Sequence, residues 1–108
     1  MAEKILEKHI QKSICDYLAL KKYFFWRQNT APTFEWKTKS FRAMPKYAMT
    51  GVPDIIVIRG LGIVNFIEVK RPGAKLSEKQ EIFKEKCEEL GAVYITAFSL
   101  DDVIAAGL

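Results

Sequence analysis

The chain has little of what most hydrolytic and metal sites are built from. It holds one histidine, His9, and two cysteines, Cys15 and Cys87. A Ser-His-Asp or Cys-His arrangement would have to take its base from His9. That residue falls on the polar face of a predicted helix, where simple exposure accounts for it. Zinc sites draw on Cys and His ligands at close spacing, and no such cluster is present. The two cysteines stand on separate predicted helices and read as reduced core thiols rather than a disulfide. No apolar run approaches the ~20 residues of a membrane span. The charged, helical N-terminus shows no secretory signal, so a cytoplasmic location is expected. Repeats, linkers and low-complexity segments are missing too.

What is present fits one domain of 108 residues with a single core, 49% of it apolar. The formal charge is +4. This permits nucleic-acid binding without requiring it. The distribution says more. Between Trp36 and Thr50 stand Lys37, Lys39, Arg42 and Lys46, with no acid among them. Lys70, Arg71 and Lys75 form a second basic cluster. Each cluster reads equally well as solvated loop charge or as phosphate contacts, and Arg27 carries the same two readings. Tyr47 and Trp36 read as core or interface aromatics.

Residues 3 to about 21 are expected to form a helix. Leu6, Ile10, Ser13, Ile14, Tyr17 and Leu18 make its apolar face. Glu7 falls between Ile14 and Leu18 on a helical projection, an unexpected inward acid; fraying at the helix start would leave it in water. Tyr23 to Arg27 predicts a strand, and Asn29 to Pro32 break it. Phe34-Glu35-Trp36-Lys37 alternates like a further strand or hairpin arm. Ser77 and Gln80 make a capping box for a second helix ended by Gly91. Ala92 to Phe98 predicts a buried strand, and Ser99 with Asp102 predicts the cap of a short last helix.

The centre of the chain carries the chemistry. Two hydrophobic strands are predicted, Asp54 to Ile58 and Ile63 to Lys70. Strands this apolar are usually buried, and a buried carboxylate is costly without compensation. Asp54, Glu68 and Lys70 nevertheless lie on them. If Gly60-Leu61-Gly62 is a three-residue loop with a left-handed glycine, Arg59 faces Ile63 and Asp54 faces Glu68. Facing Cβ atoms are then ~5 Å apart, and Glu68 and Lys70 share a face. A loop one residue longer would put the acids on opposite faces. Two acids meeting there suit Mg²⁺, which takes oxygen ligands and needs only one or two carboxylates. The Val69 carbonyl could add an oxygen. Lys70 could orient a water, take its proton or offset phosphate charge, and a lowered pKa would suit it as a base.

Val52-Pro53-Asp54 followed by Glu68-Val69-Lys70 resembles the PD-(D/E)XK nuclease signature. The ordered set Glu7-x-x-Ile10-Gln11, Arg27-x-Asn29, Gly51-Val52-Pro53-Asp54, Phe66-Ile67-Glu68-Val69-Lys70-Arg71-Pro72, Leu76-Ser77-x-x-Gln80 and Gly91-Ala92 is similar to the virus-type VRR-NUC domains. The resemblance implies a restriction-endonuclease-like α-β-β-β-α-β core: an α/β, or α+β-like, mixed sheet flanked by helices. It implies Mg²⁺ or Mn²⁺, no small-molecule cofactor, and cleavage of DNA. By position it makes Asp54, Glu68 and the Val69 carbonyl metal ligands, with Glu7 joining them directly or through water. Lys70 becomes the catalytic lysine and Gln80 a supporting polar group; the capping box explains Gln80 equally well. Arg27, Lys37, Lys39, Arg42, Lys46, Arg71 and Lys75 become candidates for DNA contact. Small stand-alone relatives look like Holliday-junction-resolving homodimers, which points to branched DNA and to a bacterial or virus-infected cell. A non-catalytic DNA-binding module, or a subunit active only with a partner, is the alternative.

Overall fold

The computed structural model describes residues 6–28, 34–35, 40–41 and 46–108. Helix α1 (Glu7–Leu20) leads to β1 (Phe24–Arg27), and a two-stranded antiparallel ribbon, β2 (Phe34–Glu35) with β3 (Ser40–Phe41), follows. Then come β4 (Ile55–Ile58), β5 (Val64–Val69), α2 (Glu78–Glu89), β6 (Val93–Ala97) and α3 (Leu100–Ala105). The main sheet runs β1-β4-β5-β6. β4 pairs antiparallel with β1 and β5, and β5 pairs parallel with β6. The result is the expected α+β architecture, a mixed four-stranded sheet with flanking helices. No described helix is long and apolar enough to cross a membrane.

Alternation along the central strands decides which helix each face meets. Ile55, Val57, Ile67 and Val69 turn one way and are buried against Ile10, Ile14 and Leu18 of α1 and Val103 of α3. Each fully buried side chain of this size contributes roughly 1.5–3 kcal/mol. The opposite face meets α2, where Phe66 packs edge-on against Phe83 with ring centroids 5.1 Å apart. Glu68 lies two residues beyond Phe66, on that same face.

The β4–β5 turn has the three-residue form. Ile58 pairs with Val64, and the Arg59 amide donates to the Ile63 carbonyl at 2.8 Å. Leu61 and Gly62 both take positive φ, 67° and 72°. Continued outward, this register brings Asp54 opposite Glu68. Both acid-bearing segments stop short of the predicted limits: Asp54 directly precedes β4, and Lys70 directly follows β5. Pro53 has no N–H to extend the ladder.

The α1 boundary differs from expectation. Leu6 is extended (φ −97°, ψ 140°), so the helix starts at Glu7 rather than at residue 3. Ser13, expected on the apolar face, is exposed and donates back to the Ile10 carbonyl at 2.8 Å. At the last helix, the Asp102 carboxylate accepts from the Phe98 amide at 2.8 Å, and Ser99 makes no side-chain cap. By contrast α2 ends as expected. Gly91 (φ 85°) lets the Ala92 amide reach the Cys87 carbonyl and the Gly91 amide reach that of Glu88, closing the helix with paired carbonyls.

Candidate functional site

The site is built at the open ends of the two central strands. Asp54 is half-buried, and its Oδ2 accepts a 2.8 Å hydrogen bond from the Val69 amide. The Asp54 carbonyl accepts from Gln28 at 2.7 Å. The aspartate is thus tied to both neighbouring strands. Gly51 steers the chain toward it. With φ +79°, it lies so close to α2 that an added Cβ would sit 3.0 Å from the Lys79 carbonyl oxygen.

Glu68 is 4% exposed. Gln80 Nε2 donates to its Oε1 at 2.9 Å. The other oxygen, Oε2, is buried without a partner. Such an atom is costly unless something occupies its lone pairs. Burial, and then the charge of Asp54, pushes the Glu68 carboxyl from 4.5 up to about 8; Lys70 pulls the other way. Asp54 is raised by burial as well, and the Val69 hydrogen bond opposes that shift. Both carboxyls are thus pushed toward the protonated form, Glu68 the more strongly, and a bound cation would reverse that push.

Gln80 caps α2 and also reaches Glu68. Its Oε1 accepts from the Ser77 amide at 2.8 Å while Ser77 Oγ accepts from the Gln80 amide at 3.2 Å, a complete capping box. Its remaining Nε2 is thereby aimed at Glu68. The N-terminus of α2 and the acid pair share one side chain.

Glu7 is exposed rather than enclosed in the apolar arc, because it is the first helical residue and no earlier turn covers it. Its Oε1 accepts from the Arg71 amide at 3.4 Å, and its charge raises both Asp54 and Glu68. It therefore stands at the rim of the site. Among the described residues no three Asp, Glu, His or Cys side chains converge closely enough to hold an ion. Two carboxylates are nonetheless enough for Mg²⁺ or Mn²⁺, which complete their shells with water and carbonyl oxygens. The orphaned Glu68 Oε2 beside Asp54 fits that demand.

The basic residues divide. Arg27 is exposed and lies close enough to Asp54 to oppose its shift. Arg71 and Lys75 are exposed in the segment after β5. Lys46 is exposed, its Nζ 5.1 Å from the centre of the Tyr47 ring. Tyr47, read as core or interface, is 89% exposed at a φ of 71°; the turn holds it clear of the sheet. Lys37, Lys39, Arg42, Trp36 and the Asn29–Pro32 break lie outside the described residues.

Three nearby groups escaped sequence reasoning. Gln11 and Gln28 line a cleft of about 520 Å³ with Arg27 and Asp54. The hydroxyl of Tyr94 is buried without a partner, and its pKa is raised by burial first and then by Glu68. Gln11 stood in the family pattern. For Tyr94 the available signal was its alternation with Thr96, which pairs with Glu68.

The family model for the VRR-NUC domain matches residues 8–97. A solved structure of a VRR_NUC domain protein superposes with a TM-score of 0.67 at 19% identity, covering 96% of this chain and 86% of that one. At that identity the likeness speaks for the fold alone. No curated protein matches the chain.

Proposed function

The chain belongs to the VRR-NUC family of nuclease-type domains, and from that premise we propose that it is a metal-dependent endonuclease that hydrolyses DNA phosphodiester bonds. One observation carries the reading. Asp54 and Glu68 meet in register at the ends of the central strands, and the inner oxygen of Glu68 has no partner.

Asp54 and Glu68 would hold Mg²⁺ or Mn²⁺, with the Val69 carbonyl as a further oxygen and Glu7 reaching in from the rim through water. A divalent cation there supplies acidification of water and neutralisation of charge on the phosphate and leaving oxygen. The protein's own groups supply the rest. The Val69 amide fixes Asp54, and the Gln80 amide fixes Glu68. Lys70, whose charge is felt at both acids, offsets phosphate charge and holds or passes the proton of the attacking water. Arg27, Lys46, Arg71 and Lys75 are proposed to grip backbone phosphates, as are Lys37, Lys39 and Arg42. Such contacts give affinity and register without reading bases. Recognition by DNA shape follows, which favours branched substrates such as four-way junctions or flaps. Two copies related by a twofold axis would present two sites to such a branch.

The test incubates purified protein with labelled four-way junction, flap and linear duplex, in Mg²⁺, in Mn²⁺ and in chelator. Cleavage of a branched substrate that needs metal and is lost in Asp54→Ala supports the proposal. Cleavage that persists in chelator, or survives Asp54→Ala unchanged, removes it. DNA binding without cleavage by the wild-type chain would make it a binding module or a partner-dependent subunit.

A further inference from the structure

The cleft beside Asp54 does not end there. A second cleft, of about 600 Å³, runs along α1 and shares Gln11 and Arg27 with the first as a common wall. Lys8 and Lys12 also line it. Lys8, Gln11 and Lys12 recur at helical spacing, so they form one stripe, the lysines exposed and Gln11 half-buried, beside the buried face of Ile10, Ile14 and Leu18. Together the clefts make a groove that begins at an acid of the proposed metal site and continues between Arg27 and two lysines. Lys12 also pairs with Asp16 at 2.6 Å, and that acid lies on the groove wall. Three cations against this one acid leave the groove basic beyond Asp54. The Gln11 and Gln28 amides add uncharged donors.

Both clefts have the size that takes a small ligand. Volumes of about 520 and 600 Å³ suit a short stretch of one strand better than the bulk of a duplex. A positively charged groove that tracks a backbone is the usual device for single-strand binding. We propose that the α1–β1 groove carries the sugar-phosphate backbone of one unpaired strand away from the scissile phosphate, on Arg27, Lys8 and Lys12. The substrate on this side of the site is a single-stranded arm, as at a flap or an opened junction. This rests on the nuclease reading and names its substrate more closely.

The test measures binding of a labelled single-stranded oligonucleotide in chelator, so that cleavage does not enter, over a range of salt. Each lost phosphate contact lowers the slope of log K against log salt by about 0.7 for a single strand. The double variant Lys8→Gln, Lys12→Gln should lower it by about 1.4 and weaken binding. Glutamine keeps the helix propensity of lysine, and an unchanged far-UV circular dichroism spectrum confirms the fold. A control with the same charge change elsewhere, Lys21→Gln with Lys84→Gln, should leave the slope as in the wild type. A slope unchanged in the groove variant, or lowered equally by the control, overturns the proposal. So does a wild-type chain that ignores single strands, or a groove variant that weakens only duplex binding. The nuclease reading is judged separately, by metal-dependent cleavage and its loss in Asp54→Ala. Failure of the groove with that cleavage intact sinks the groove alone.

Discussion

Replacing the buried Glu68 should make the metal-free protein more stable. Glu68 is buried, and its carboxyl is raised from 4.5 to about 8 by burial first and by Asp54 second. Above pH 4.5 the unfolded chain ionises this group, while the folded chain keeps it protonated until about pH 8. The native state therefore binds more protons, and stability falls as pH rises through that window. At pH 7 the gap is 7 less 4.5, which at 1.36 kcal/mol per unit is about 3 kcal/mol; above pH 8 it approaches roughly 5. Glu68→Gln removes the titration. Its amide oxygen can still accept from Gln80 Nε2, and its new N–H₂ can face Asp54. In chelator at pH 7 the variant should melt at least ~10 °C higher, given about 4–8 °C per kcal/mol for a domain near this size. The advantage should vanish below pH 4.5 and level off above pH 8. Calorimetric or circular-dichroism melts at pH 4, 7 and 8.5 read this directly. A variant less stable than wild type at pH 7, or a difference that ignores pH, would refute the reasoning.

Other outcomes follow from the same geometry. Gln80→Glu keeps an acceptor for the Ser77 amide but loses the donor to Glu68, so metal-dependent cleavage should fall about 10- to 100-fold. Ser77→Ala breaks the cap and should cost about 1 kcal/mol while sparing the rate more. Equal rates for Gln80→Glu and wild type would reduce Gln80 to a capping residue. Gly51→Ala forces a Cβ into the left-handed region and against the Lys79 carbonyl. It should cost about 1–3 kcal/mol in denaturant melts, and a loss within about 0.5 kcal/mol, the scatter of neutral surface changes, would refute the close approach.

Local rules made the heart of the site readable in advance. Gly60-Leu61-Gly62 counts out a three-residue loop, and pairing arithmetic alone then puts Asp54 across from Glu68. The Ser77–Gln80 spacing likewise predicts the capping box. What stayed hidden depends on three-dimensional choices that spacing does not encode. That Gln80 spends one amide atom on the cap and the other on Glu68 follows from how α2 lies on the sheet. Glu7 sits in the apolar arc of an ideal helix, yet it is exposed because the helix starts at that residue. Asp102 serves Phe98 rather than the helix cap with Ser99, a competition between nearby amides that composition leaves open. The Gln11–Arg27–Gln28 cleft joins residues from two elements, and only their packing brings them together.

The central claim is that Asp54 and Glu68 grip one divalent cation. Calorimetric titration of Mn²⁺ into the purified wild-type chain and into Asp54→Ala, at pH 8, tests it without any nucleic acid. The account predicts a saturable site in the wild type and at least tenfold weaker binding in the variant, on the scale of losing a metal-site interaction. Superimposable isotherms for the two proteins would contradict it.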